Sequence, residues 1–408
     1  MTAPGSTPAG LADLPFTLPA LADAYAAGFT PEAVIEEAFR RITVANDPGI
    51  FLHLVDRDAA LAEARALGNR PEDAGPLWGA PFVIKDNIDL AGAPTTAACP
   101  AFTYTAEADA AVVAELRRAG ALVIGKTNLD QFATGLVGVR TPYAVPRNAV
   151  DPALVPGGSS SGSAVAVARG LAAFALGTDT AGSGRVPAAL NNIVGLKPTL
   201  GALPNRGVVP ACRTVDTVSV FALTVADAQA VLRAAAVFDT ADPYARVDAV
   251  APESDRAPQA RIGVPDSGSL ETYGDDAQVD AFARARDLLT DLAARPVPVD
   301  MTPFQEVARL LYEGAWLAER YTVVDGLLRD QPEALHPVTR EIIAKAEEFT
   351  AVDAFRDGYQ LAALRRRLAG LWGDIDVLAV PSTPTLYTRA DLAADPLTPN
   401  ARLGHYTN

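Results

Sequence analysis

The spacing of apolar positions changes along the chain. In TPEAVIEEAFRRI, from Thr30, a hydroxyl residue precedes a proline and an acid, and the apolar residues then recur at three and four. This predicts an amphipathic helix with Thr30 as its N-cap. A second helix is expected near 56–67. From about residue 77 the texture becomes short apolar runs alternating with Ala-rich stretches: PFVIKD, DAAVVAELRRAG, ALVIGKT, SGSAVAVARG and LAAFALGTD. Strand-length and helix-length segments in alternation predict an α/β fold, a parallel or mixed sheet wrapped by helices. Further on come RIGVPD, a helix around 276–292, VPVDM, a long helix near 304–327, another near 351–372 and the apolar run VLAVPS. Nothing repeats at a fixed period. PESDRAPQ, at 252–259, is the best linker and reads as a surface crossover within one domain.

Composition narrows the function. The 408 residues could fill two or three average domains, but large α/β enzymes often pass 250 residues as one. A net charge of −15 argues against nucleic acid or an anionic membrane surface as partner and favours a small-molecule substrate. The first thirty residues lack a basic start followed by an apolar run, and no stretch reaches the ~18 apolar residues of a membrane span, so a cytoplasmic protein is expected. Cys99 and Cys212 then read as reduced thiols. Histidine is scarce: His53, His336 and His405 lie far apart, in no spacing that puts two imidazoles on one metal. Lysine is scarce too, with Lys85, Lys126, Lys197 and Lys345 against thirty arginines. A chain that prefers Arg for charge keeps Lys where a base that can lose its proton is wanted.

Two motif matches mislead. GALVIGKT, at 120–127, fits the P-loop pattern, but Leu122, Val123 and Ile124 are strand formers following a helix, and a strand cannot fold its N–H groups around a phosphate. GSSSG, at 158–162, fits the nucleophile elbow with Ser160 at its centre, yet its lead-in DPALVPG is a proline-containing loop. Only His336 or His405 could complete a triad there. A better constellation lies in FALGTDTAGSGRVPA, at 174–188, where a strand-like run ends in a glycine-rich turn carrying Ser183. Successive N–H groups of such a turn can converge on an oxyanion. Lys85, at the end of PFVIKD, is placed to supply a base other than imidazole.

Taken in order, GAPFVIKDNID, GKTNLDQFATG, PGGSSSGSAVAVA and GTDTAGSGRVPAALNNIVGLKPT resemble the amidase signature family, closely over 77–225 and more loosely to the end. The resemblance implies a broad mixed, largely parallel β-sheet covered by helices on both faces, with an N-terminal helical segment. It also implies a Ser–cis-Ser–Lys triad: Lys85 as base, Ser159 after a Gly158–Ser159 cis peptide as relay, Ser183 as nucleophile. The N–H groups of Thr180, Ala181, Gly182 and Ser183 form the oxyanion hole, with no cofactor or metal. A lysine free in water has a pKa near ~10.4, and burial lowers it by up to ~3–5 units, enough for a usable neutral fraction. Asp179 and Arg185 are expected to orient the turn by pairing. Asn128, Asp130 and Gln131 are read as structural or pocket-lining, and Lys126 and Lys197 as structural.

Within the family, TNLDQFATGLVG, NNIVGLKPTLGALPNRGVVPACRTVDTVSVFALTVADA and VARLLYEGAWLAERY are most similar to allophanate hydrolases. The implied substrate is a small anionic amide, allophanate, hydrolysed to ammonia and N-carboxycarbamate in urea catabolism. Tyr312, Trp316 and Arg320 fall at i, i+4 and i+8 of the expected helix, along one side of it. The resemblance assigns substrate binding to Tyr312 and Arg320, a guanidinium suiting a carboxylate. It further implies a homodimer and one amidase domain over 1–408: helices in 1–70, the signature core in 77–225, and a remainder in 226–408 that stops early, without the C-terminal domain such hydrolases carry. The rivals are another small-amide or aryl amidase, and an amidotransferase subunit that passes its ammonia to a partner.

Overall fold

The computed structural model describes residues 10–247, 249–250, 260–291 and 295–408. The chain divides into two compact units: Met1–Val250 with Gln331–Thr339, and Ala251–Asp330 with Arg340–Asn408. The linker expected at 252–259 lies outside the described residues.

The first unit contains strands β1 (Phe51–Leu54), β2 (Pro81–Lys85), β3 (Pro94–Thr95), β4 (Tyr104–Thr105), β5 (Leu122–Thr127), β6 (Phe174–Asp179), β7 (Val194–Leu196) and β8 (Thr217–Ala222). Strands β3 and β4 make a small ribbon, and the other six form one sheet in the order β1-β5-β2-β6-β8-β7. Strand β2 is parallel to β5 and β6, β1 is antiparallel to β5, and β8 is antiparallel to both β6 and β7. Strand β7 therefore runs with β6, so β5, β2, β6 and β7 share one direction against β1 and β8. The sheet is mixed and largely parallel, as the rhythm of the sequence predicts. Every residue of β2, β5, β6 and β8 is buried. Burial at consecutive positions requires cover on both faces, which is why these strands read as unbroken apolar runs. Phe82 and Phe174, register partners on β2 and β6, stack at 4.8 Å.

Around this sheet run helices α1 (Leu18–Ala26), α2 (Pro31–Ala45), α3 (Arg57–Ala66), α4 (Ala111–Arg118), α5 (Ser161–Ala168), α6 (Arg185–Leu190) and α7 (Val225–Ala235). Thr30 caps α2 as expected, its hydroxyl accepting from the Ala33 N–H at 3.2 Å. Helix α5 packs on β2, β5, β6 and β8, and α7 on β6, β7 and β8. GALVIGKT is indeed strand, since β5 covers Leu122–Thr127. Strand β1 is one of the elements the sequence reading does not predict: four residues, paired only at the sheet edge with β5, carry too little pattern to be read.

The second unit carries a parallel three-stranded sheet of β9 (Arg261–Pro265), β10 (Arg295–Val299) and β11 (Val377–Leu378), in the order β10-β9-β11. Its longer helices are α8 (Asp276–Asp291), α9 (Thr302–Glu313) and α10 (Leu317–Asp330), followed after α11 (Pro337–Ala344) by α12 (Ala351–Leu368). The single helix expected near 304–327 is two. Gly314 is extended (φ −113°, ψ −177°), and the Ala315 N–H donates to Asp357 Oδ2 at 2.7 Å instead of continuing the helical ladder. A Cβ at Gly314 would lie 2.5 Å from Asp357 Oδ2, so Asp357 of α12 approaches where only glycine fits. Tyr312 thus lies in the last turn of α9, Trp316 sits in the break and Arg320 belongs to α10, and the three do not share one helix face. Among the described residues no helix is long and apolar enough to cross a membrane.

Candidate active site

Lys85 ends β2, the central parallel strand, and is fully buried. Its Nζ donates to Ser159 Oγ and to Thr178 Oγ1, both at 2.7 Å. Thr178, the penultimate residue of β6, also accepts from Asn87 Nδ2 at 3.3 Å. Neither Thr178 nor Asn87 is among the expected site residues; both sit inside the motif stretches, but only the pairing of β2 with β6 brings Thr178 to Lys85 and Asn87. The Gly158–Ser159 peptide is cis. On its flanks the Gly158 N–H donates to Leu136 O at 2.9 Å, and Ser159 O accepts from the Asp130 N–H at 3.0 Å. Gly158 has no room for a side chain, because a Cβ there would lie 2.0 Å from Asp130 Oδ2.

Ser183 stands on the turn between β6 and α6. Asp179, fully buried at the end of β6, shapes that turn: Oδ1 accepts from the Gly182 N–H (2.7 Å) and Arg185 Nη2 (2.9 Å). Its Oδ2 accepts from the N–H groups of Gly184 (3.0 Å) and Arg185 (3.2 Å) and from Arg185 Nε (2.9 Å). Burial alone would raise the Asp179 carboxyl, but the Arg185 guanidinium and the Gly182 N–H hold it below its ordinary value. The expected orienting role of this pair is therefore seen. The Gly182 N–H, one of the four expected oxyanion donors, is bonded to Asp179 Oδ1. Thr180 and Ser183 do not give their N–H groups to that carboxylate, and Thr180 Oγ1 instead binds Asp216 Oδ1.

The Ser183 side chain is buried, its Oγ donating to Gly135 O at 3.5 Å, while Ser183 O accepts from the Ser160 N–H at 3.4 Å. The turn is thus tied to the serine-rich loop through one backbone bond. The hydrogen-bonded path from Lys85 reaches Ser159, and the Ser183 hydroxyl points to Gly135 rather than to Ser159. The other serines are structural. Ser160 holds the N-cap position of α5 but does not cap it, its Oγ donating to Thr178 O at 3.2 Å. Ser161 reaches Asn128 O, and Ser163 pairs with Thr127 Oγ1 and Leu176 O. Among the described residues no histidine bonds to Ser160 or Ser183: the His336 N–H goes to Gln131 Oε1, and the His405 ring to Tyr273 and Gln305.

The remaining polar residues tie loops around the site together. Asn128 bridges Gly49 O and Ala144 O, and Gln131 binds Ala98 O and Ala334 O. Lys126 is fully buried and pairs with Asp86 Oδ1 at 3.0 Å, while donating to Pro94 O and Thr95 Oγ1. In the second unit, the Arg320 guanidinium is buried and lies 5.3 Å from the centre of the Tyr312 ring, within cation–π range. Among the described residues no group of three or more His, Cys, Asp and Glu could hold a metal ion. Cys99 and Cys212 are buried and are not joined in a disulfide.

The mixed sheet carries a buried lysine–serine pair at the end of β2, and by family the chain is an amidohydrolase. Residues 33–404 match the family model described as Amidase, and the chain belongs to that family. It is 42% identical over 379 residues to urea amidolyase of Saccharomyces cerevisiae, covering 92% of this chain and 20% of that protein. The solved Kluyveromyces lactis allophanate hydrolase is 39% identical, with a TM-score of 0.89 over 96% of this chain and 65% of that one. A glutamyl-tRNA(Gln) amidotransferase subunit from Chloroflexus aurantiacus is 34% identical over 91% of this chain and 82% of its own length. The chain spans about a fifth of the length of the urea amidolyase it matches.

Proposed function

We propose that the chain hydrolyses allophanate to ammonia and N-carboxycarbamate, with Ser183 as nucleophile, Ser159 as relay and Lys85 as base. The observation that carries the reading is the 2.7 Å bond from the fully buried Lys85 Nζ to Ser159 Oγ, beside the Gly158–Ser159 cis peptide. In the reaction Ser183 Oγ turns from Gly135 O toward Ser159 and attacks the amide carbonyl. Its proton passes to Ser159, whose own proton goes to neutral Lys85. The developing oxyanion is met by the N–H groups of Thr180, Ala181 and Ser183, Gly182 being engaged elsewhere. The proton then returns through the relay to the departing nitrogen, and water repeats the cycle on the acyl-enzyme.

Allophanate as the substrate rests on the likeness to allophanate hydrolase and urea amidolyase. Substrate binding by Tyr312 and Arg320 rests on the motif resemblance and on the buried guanidinium, which suits a carboxylate. A cytoplasmic homodimer belongs to the same proposal. The test is ammonia release by the wild type from allophanate, malonamate, glutamine and simple aliphatic amides, with Ser183→Ala as control. Preference for allophanate, abolished in the variant, is the expected result. Preference for glutamine would favour the amidotransferase reading, and undiminished activity of Ser183→Ala would refute the mechanism.

A further inference from the structure

One buried carboxylate stands between the two serine turns without belonging to either. Asp130 follows β5 by three residues and is fully buried. Its Oδ2 accepts from the N–H groups of Val137 (3.2 Å) and Gly138 (2.9 Å), and Oδ1 from that of Arg140 (2.9 Å). Its own N–H donates to Ser159 O at 3.0 Å. Two glycines press on this carboxylate: a Cβ at Gly158 would lie 2.0 Å from Oδ2, and one at Gly135 2.7 Å from it. Gly158 leads into Ser159, and Gly135 presents the carbonyl that receives Ser183 Oγ. The carboxylate therefore fixes the spacing between the holder of the relay serine and the holder of the nucleophile.

We propose that Asp130 is a positioning residue of the relay, which sets the Gly135 and Gly158 turns against each other and balances the charge of Lys85 when that amine has taken the proton. The inference rests on the Lys85–Ser159–Ser183 reading. Three N–H donors on its two oxygens are what an ionised carboxyl requires. Burial raises the Asp130 carboxyl above its ordinary value, against the opposing pull of Arg140, the Arg140 and Gly138 N–H groups and Lys85. The charged groups that bear on it are Arg140 and Lys85, with His336, whose imidazole burial keeps low, feeling both Asp130 and Arg140. As Ser183 Oγ bonds to the carbonyl carbon, one proton moves from Ser183 to Ser159 and one from Ser159 to Lys85, so positive charge appears at Nζ. A fixed anion nearby favours that form.

The experiment compares wild type and Asp130→Asn, both checked for cooperative thermal unfolding, in two assays across pH. One is ammonia release from allophanate, and the other is the rate of Ser183 labelling by a fluorophosphonate, which needs the activated serine but no particular amide. Expected in Asp130→Asn is a kcat lower on the order of 10²-fold with KM within about twofold, the scale of an ångström of misplacement. Loss of the anion makes ammonium at Lys85 less favourable, so the acidic limb of both profiles moves to lower pH by about one unit. An unmoved limb with wild-type labelling would overturn the proposal, as would a loss confined to KM. If allophanate proves not to be the substrate, the labelling profile decides alone, and if Ser183 is not labelled in the wild type, both this inference and the relay reading fail. Should Asp130→Asn not fold, Gly135→Ala crowds the carboxylate while keeping its charge. It must lower kcat and leave the limb in place, and an unchanged kcat refutes the positioning role.

Discussion

Replacing Asp179 by asparagine keeps the volume and removes the charge that organises the Ser183 turn. The carboxylate accepts from three backbone N–H groups and from two nitrogens of Arg185, which is itself only 30% exposed. An asparagine offers one carbonyl oxygen where there were two, and turns an NH2 toward groups that are already donors. Breaking a buried ion pair from one side costs about 3–5 kcal/mol. The partner here is partly solvated, so the lower end, about 3 kcal/mol, is the expectation for denaturant unfolding at pH 7. The sign with pH follows from the depressed Asp179 carboxyl. Its stabilisation is complete above the ordinary carboxylate pKa and fades as pH falls through the lower folded value, so wild type and variant should converge in stability toward that acid range. Turnover should fall together with stability, because Gly182 loses the contact that bends the turn beneath Ser183. A cycle with Arg185→Met should show coupling of about 1 kcal/mol or more. A folded Asp179→Asn within 0.5 kcal/mol of wild type, on the order of an ordinary surface change, would refute the claim that this carboxylate shapes the turn.

Other outcomes follow from the same packing. Gly158→Ala puts a methyl 2.0 Å from Asp130 Oδ2 and 2.6 Å from the Gly138 nitrogen, so the relay turn must move; kcat for ammonia release should drop on the order of 10²-fold while a thermal melt shows an overpacking cost of about 1–3 kcal/mol. Glu37 on α2 is buried, which disfavours its charge, yet hydrogen bonds from Arg40 and Arg41 bring its carboxyl from 4.5 to about 2. Glu37→Gln should therefore cost on the order of 2–3 kcal/mol at pH 7, with the difference shrinking as pH falls from about 4.5 toward 2, and a pH-independent difference would count against this account. Gly314→Ala should destabilise the second unit in urea unfolding, since its Cβ would meet Asp357 Oδ2 at 2.5 Å and Leu310 O at 2.6 Å.

What the sequence disclosed depended on whether a contact leaves a local trace. Helix α2 was legible because Thr30, Pro31 and Glu32 are a start signal in three adjacent residues, and the central strands because burial on both faces leaves unbroken apolar runs. The break at Gly314 was not legible. Helical periodicity runs straight through LLYEGAWLAERY, and what stops the helix is Asp357, 42 residues later, taking the Ala315 N–H. A glycine inside a helical pattern is compatible with a continuous helix or a stop, and only the partner decides.

The candidate site divides in the same way. Lys85 could be singled out because histidine is scarce and lysine scarcer than arginine, and Asp179 with Arg185 because a pair six apart around a glycine-rich turn has an obvious use. Thr178 and Asp130 gave no such signal, since their value lies in what the sheet brings to them: Lys85 from β2, and the flanks of Gly158 and Gly135. The fate of the Gly182 N–H makes the point sharpest. Read along the chain, four consecutive N–H groups around Ser183 look equivalent as oxyanion donors. In the folded turn the carboxylate three residues before Gly182 takes that one for itself. That bond, closed on a buried carboxylate, sets the curvature of the turn, and nothing in the order of residues along the chain shows which of the four N–H groups it takes.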